Sequence, residues 1–269
     1  RNHSSAASDV YKRQMIDHPK QGVLNVVDCW AETFQPKYGE VDAKAGKLSL
    51  ISLEAATEVL QKGQTNALVT APIHKAAIQS ENFRFPGHTD YLAQVFDEDT
   101  LMFLVHNELR VALVTDHVAV KDIAQHITSD RVTQKLNTVA YSLKQDFGIA
   151  NPRIAVLGLN PHVGDEGVIG NEEMNMLQPL LKTYQIDKTE ISGPFSADAF
   201  FGSQSYKNYD AILAMYHDQG LIPFKTLSFG QGVNFTAGLS AVRTSPDHGT
   251  AFGIAGTGQA SPQSFRQAV

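Results

Sequence analysis

Apolar residues in this chain recur with two different spacings, and the switching between them predicts a repeated order of strand, loop and helix. From Leu50, the positions Ile51, Leu53, Ala55, Ala56, Val59 and Leu60 share one helical face, and the pattern stops at Gly63. A second helix is predicted from Ser129 as its N-cap, with Val132, Leu136, Val139 and Leu143 three or four residues apart and Gly148 beyond its end. A third should run from Glu172 to Tyr184, after Asn171. The short apolar runs at 67–70, 101–105, 110–115, 154–159 and 211–215 lack helical spacing and read as buried strands. Two of them flank Asn107-Glu108 and predict a hairpin. Strands alternating with helices in this way predict an α/β fold, with a mostly parallel sheet covered by helices on both faces.

Three of the predicted strands break into loops that carry a histidine: Val114-Thr115-Asp116-His117, Leu159-Asn160-Pro161-His162 and Met215-Tyr216-His217-Asp218-Gln219-Gly220. In an open parallel sheet the carboxyl ends of neighbouring strands face one crevice, so ligands distant in sequence can converge there. Neutral imidazoles suit a borderline divalent ion such as zinc, and three of them leave a coordination position for substrate. His117, His162 and His217 are therefore candidate metal ligands. His106 and His126, at a strand end and on a predicted helix, read as structural, and His74 has no comparable setting.

Candidate anion binders cluster late in the chain. Lys225 follows the third histidine loop, Asn234 lies in Gly232-Val233-Asn234-Phe235, and Arg243 precedes Thr244-Ser245. Two cations and an amide in glycine-flanked loops would suit a phosphate and a carboxylate. Gly87, His88 and Thr89 sit at a predicted helix start, where an anion is welcome. The run Asp247-His248-Gly249-Thr250-Ala251 reads as a loop whose glycine permits close contact with a planar or phosphorylated ligand.

The formal charge of −6 on 269 residues argues against nucleic acid or an anionic membrane surface as a partner. A single cysteine, Cys29, excludes an internal disulfide or a thiolate cluster and fits a reducing, cytoplasmic compartment. No apolar run approaches a membrane span. Residues 1–14 carry no convincing periodicity and read as a non-native or unstructured leader. The G-x-S-x-G, Walker-type and H-E-x-x-H patterns are absent from the sequence, which removes common hydrolase and nucleotidase signatures.

With these motifs assembled, the chain closely resembles the 4-hydroxythreonine-4-phosphate dehydrogenase family of vitamin B6 biosynthesis. The likeness runs from about Gly39 to Ala268. It is carried by Thr70-Ala71-Pro72-Ile73-His74-Lys75, Pro86-Gly87-His88-Thr89, Leu159-Asn160-Pro161-His162, Ala214-Met215-Tyr216-His217-Asp218-Gln219-Gly220, Gly232-Val233-Asn234, and Arg243 through Ala251. The resemblance implies two α/β/α domains around a cleft, as in isocitrate and isopropylmalate dehydrogenases. The first would comprise 15–88 plus 244–269, and the second 89–243.

It further implies metal ligands at His117, His162 and His217, with zinc as the expected ion and magnesium or cobalt as alternatives. Substrate contacts would fall on His88, Thr89, Lys225, Asn234 and Arg243. NAD, with NADP as the alternative, would lie against His248, Gly249, Thr250 and Ala251. Asp218, beside His217, is the candidate proton acceptor, and Lys225 is a second catalytic candidate. Family members are homodimers in which both chains contribute to the metal site.

The chain departs from the family in three places. Gly253 stands where the family usually has an acidic residue, nothing in 1–38 matches the family's opening strand and glycine-rich loop, and the final helix stops short at Val269. The chain therefore reads as an N-terminally truncated member. Two alternatives stay open at this point: a D-threonate or D-erythronate 4-phosphate dehydrogenase, and a metal-dependent hydrolase or lyase using the same histidines.

Overall fold

A computed structural model describes residues 8–12, 19–81 and 83–269. The remainder of the segment read as a leader lies outside the described residues. Within it, Ser8–Lys12 forms a strand (β1) that pairs in parallel with Leu24–Asp28 (β2), so the expectation of an unstructured leader is corrected there.

The other strands are Ala67–Val69 (β3), Leu101–His106 (β4), Leu109–Leu113 (β5), Arg153–Leu157 (β6), Glu190–Phe195 (β7), Ala211–Ala214 (β8), Val233–Ala237 (β9) and Val242–Pro246 (β10). They form one eight-stranded sheet in the order β3-β10-β9-β4-β5-β8-β6-β7. The sheet is mixed, which corrects the mostly parallel expectation. Pairing is parallel across β5-β8-β6-β7 and between β3 and β10, and antiparallel across β10-β9-β4-β5. A two-residue connection cannot return a chain for parallel pairing, so the Asn107-Glu108 turn makes β4 and β5 a hairpin as expected, with Asn107 left-handed at φ 51°.

Alternation along each strand divides the core between two faces. Phe103, Ala112, Ile154, Val156 and Leu213 pack with Val132, Leu136, Val139 and Leu143 of the Ser129–Gln145 helix, all four wholly buried. Leu104, Val111, Leu113, Ile212 and Ala214 point the other way, against Leu221 and Phe224 of the His217–Ser228 helix. Helices thus cover both faces.

Local chemistry shifts the start of two predicted helices and alters the first turn of a third. Thr128, not Ser129, caps its helix: Thr128 is extended and its Oγ1 accepts from the Arg131 N–H at 3.3 Å, whereas Ser129 is already helical. The first helix spans Ala43–Gln61, starting earlier than the apolar pattern, because the Asp42 carboxylate accepts from the Lys44 and Ala45 N–H groups. The third predicted helix opens with a wide turn at Glu173–Leu177, closed by an N–H···O bond from Gln178 back to Glu173, before Gln178–Thr183 continues as α-helix. The domain boundaries expected after 88 and 243 fall inside the His88–Phe96 helix and β10.

Candidate functional site

The carboxyl ends of β5, β8 and β6, three adjacent parallel strands, deliver His117, His217 and His162. Their ends are cross-tied. Thr115 donates through both its backbone N–H and its Oγ1 to the Met215 carbonyl, at 3.2 and 2.8 Å. Gln219 accepts from the Met215 N–H at 2.7 Å and donates to the Gly158 carbonyl at 2.6 Å. These bonds fix the spacing between the three loops.

His117 and His217 lie together, their ring centroids 6.3 Å apart. Nδ1 of His217 donates to Asp218 at 2.7 Å, and Nδ1 of His117 faces Asp116 at 3.4 Å. A carboxylate on Nδ1 leaves Nε2 as the free donor atom, the usual arrangement behind a metal-ligating imidazole. The Asp116 side chain beside it raises the affinity of His117 for a proton, and His117 in turn holds Asp116 well below the usual carboxylate range. His162 does not join this pair within one chain. It stands exposed at φ 52° in a turn where His162, Val163, Gly164, Asp165 and Glu166 are all left-handed. Among the described residues, no three His, Cys, Asp or Glu side chains gather closely enough to hold a metal ion.

Beside His117 opens a cavity of about 230 Å³ whose lining includes Lys75, His88, Thr89, Asn234, Arg243 and His248. Arg243 was expected in a loop but lies on β10, where its side chain is 2 % exposed. Its guanidinium donates to the hydroxyls of Thr236 at 2.9 Å and Thr70 at 2.6 Å, Nε has no partner, and no carboxylate among the described residues neutralises it. Burial pushes its pKa down to about 10. Asn234, expected in the same kind of loop, lies on β9, with a buried Oδ1 that also lacks a partner. The glycine before them serves the protein's own packing: a Cβ at Gly232 would fall 2.4 Å from an Asp247 carboxylate oxygen.

Gly87, His88 and Thr89 open a helix at the cavity wall, as expected, with first-turn N–H groups free of helical partners. Burial, with Arg243 nearby, pushes the His88 imidazole down to about 3 and keeps it neutral. Lys225 sits on the helix that His217 begins, not in a loop. Its ammonium reaches the Asp247 carbonyl at 3.3 Å, next to the cavity residues Pro246 and His248. Asp218 is exposed and already engaged with His217.

His248 and Gly249 line this cavity, whereas Thr250 lines a second one with Phe34, Tyr38, His74 and Phe252. His74 and Phe252 stack at 5.1 Å with their rings nearly parallel. The loop from His248 to Ala251 therefore runs between a polar cavity and an aromatic one, and the latter fits a planar ring. Sequence reasoning passed over Lys75, Asp90 and Asp116, which line the polar cavity. The pairing of Asp116 with His117 in sequence was the available signal.

A family model described as pyridoxal phosphate biosynthetic protein PdxA matches residues 2–269. A protein from Bacteroides thetaiotaomicron named 4-hydroxythreonine-4-phosphate dehydrogenase is 50 % identical over 248 residues, covering 91 % of this chain and 68 % of the relative. A protein of the same name from Prosthecochloris aestuarii is 46 % identical over 252 residues, covering 93 % and 74 %. The crystal structure of the Klebsiella pneumoniae protein of that name superposes with a TM-score of 0.80 at 33 % identity, over 97 % of this chain and 80 % of the other.

Proposed function

The chain belongs to the pyridoxal phosphate biosynthetic protein PdxA family, and from that membership we propose how its dehydrogenase site works. The substrate is 4-hydroxythreonine 4-phosphate. Its secondary alcohol is oxidised, with hydride passing to NAD and the hydroxyl proton to a base, and the β-keto acid formed loses carbon dioxide to leave 3-amino-2-oxopropyl phosphate.

The observation that carries this reading is Arg243, a buried cation that no carboxylate among the described residues neutralises, set in the wall of a cavity that also receives His117. Such a charge is costly to bury alone and is relieved by a bound anion. Lys75, Asn234, Thr89 and the helix start at His88 add donors around it, and Lys225 closes the rim. Together they hold the phosphate and carboxylate and orient the carbinol carbon. The carboxylates of Asp90 and Asp116 line the same cavity and favour a substrate bearing an ammonium over a sugar-acid phosphate.

The imidazoles of His117 and His217, each backed by a carboxylate, suit a divalent metal such as zinc, which when bound supplies a Lewis acid that lowers the pKa of the substrate alcohol. Asp218, already bonded to His217, is the proton acceptor in this reading. The loop His248–Ala251 with the aromatic cavity behind it suits NAD. His162 of the partner subunit completes the metal site in a homodimer. The exposed apolar side chains of Val168, Ile169 and Met174, which follow the His162 turn, support an interface there. The enzyme works in the cytoplasm; no helix among the described residues is long and apolar enough to cross a membrane.

The test is absorbance at the reduced-nicotinamide band with substrate, NAD and zinc. Reduced nicotinamide should accumulate with the amino substrate and far less with D-erythronate 4-phosphate. Phosphate release without reduced nicotinamide would replace this reading by a hydrolase.

A further inference from the structure

Under the turn that presents His162 lies a carboxylate that pairs with no cation among the described residues. Glu173 is wholly buried, and its oxygens accept from the backbone N–H of Asn160 at 2.7 Å and from the Asn160 side-chain amide at 2.9 Å. Burying a charged carboxylate on neutral donors is expensive, and an apolar side chain would fill the space at lower cost. The turn above it is equally unusual: five successive left-handed residues, four of them not glycine, each disfavoured by the contact between Cβ and backbone.

The two features meet at the same atoms. A Cβ at Gly164 would fall 2.6 Å from the Gly170 carbonyl oxygen and 3.0 Å from one Glu173 oxygen, and a Cβ at Gly158 would fall 3.3 Å from the other, so the carboxylate packs directly against both glycines. The Asn160 amide also donates to Glu172 at 2.8 Å, and the Asn160 carbonyl accepts from the Val163 N–H at 3.2 Å, closing the turn about His162. Glu173 itself begins the wide helical turn.

We propose that Glu173 is a positioning residue for metal binding: through Asn160 it locks the left-handed turn and so fixes the direction in which His162 is offered. This inference rests on the reading of His162 as a ligand. A glutamine at 173 would turn an N–H₂ toward the Asn160 N–H₂, and Asn160 cannot flip to accept it without directing its oxygen at Glu172. Groups that hold a metal-ligating imidazole in place change metal affinity about 10- to 100-fold when they are altered.

The experiment titrates zinc alone against a chromophoric chelator, using the wild-type protein, Glu173→Gln, His162→Ala and the double variant. The expected result is a roughly 10- to 100-fold weaker zinc affinity for Glu173→Gln, and no further loss when it is added to His162→Ala, since the two act through one imidazole. Wild-type affinity in Glu173→Gln while His162→Ala is weakened would overturn this inference alone, as would equal losses from Glu173→Gln in both backgrounds. Wild-type affinity in His162→Ala would remove the ligand reading and this inference with it. Should Glu173→Gln fail to fold, Asn160→Ala withdraws the side-chain amide from the same carboxylate; it should weaken zinc binding in the same manner, and wild-type affinity there overturns the proposal.

Discussion

His117 and His217, a hundred residues apart in sequence, face one another with ring centroids 6.3 Å apart, each with a neighbouring aspartate on its Nδ1 side. Two imidazoles hold a divalent ion poorly against competition, so metal binding at this pair would require a third ligand from outside it. The expected outcome is that His217→Ala, His117→Ala and His162→Ala each lose bound metal after dialysis while wild type keeps it in stoichiometric amount. Elemental analysis of the four proteins checks this. Full metal in any one variant removes that histidine from the set.

Arg243→Met separates anion binding from folding. The substitution strands the Thr70 and Thr236 hydroxyls, at about 1 kcal/mol each, but lifts the desolvation cost of an unpaired buried cation, which is several kcal/mol. Stability should therefore hold or rise. Substrate binding should weaken by about 2 to 5 kcal/mol, the range for removing one side of a buried charge pair. Thermal melts and KM measured on the same preparation decide it: early melting with unchanged KM would make Arg243 structural.

His88 should make the fold sensitive to mild acid. Its imidazole is held at about 3 in the folded protein against roughly 6.5 unfolded. Between those values the unfolded chain binds the extra proton, so stability is fully present above about pH 6.5 and declines as pH falls toward 3. From pH 7 to pH 5 this single group costs about 2 kcal/mol. Urea unfolding at the two pH values should show wild type losing that much more than His88→Gln, and parallel losses would refute it.

Gly46→Ala sets helix propensity against packing. Alanine is the better helix former by about 1 kcal/mol, yet its Cβ would sit 1.8 Å from the carbonyl oxygen of Ala77. That oxygen belongs to backbone and cannot swing aside, so helix Ala43–Gln61 must shift from the Lys75–Ile78 turn. Overpacking of this kind costs about 1 to 3 kcal/mol, and packing wins. Chemical denaturation should show net destabilisation; a stabilised variant would mean the contact yields easily.

Much of the scaffold was legible because burial imposes a period. Val132, Leu136, Val139 and Leu143 could only be one face of a helix, and their complete burial follows from that spacing. Asn107-Glu108 allowed no connection but a hairpin. Histidines after β5, β6 and β8 were recognisable as strand-end residues, because an apolar run breaking into polar residues marks where a buried strand leaves the sheet.

Sheet order and the surroundings of each polar side chain were not legible, because they depend on which strands become neighbours. Nothing in the spacing of β9 and β10 says that they run antiparallel to each other inside the sheet, between β3 and β4. That placement buries Arg243 and the Oδ1 of Asn234, residues whose glycine-flanked sequence suggested open loops. The left-handed turn at His162 depends in the same way on Glu173, a residue whose sequence neighbours give it no special standing. Local sequence by itself determined the helices, the hairpin and which side chains carry the lone pairs and charges that a metal or an anion would need, since those follow from short-range sterics and from side-chain chemistry. Only the tertiary structure decided which of them are buried, paired or left without a counter-ion, because desolvation and hydrogen bonding are properties of what the folded chain brings alongside.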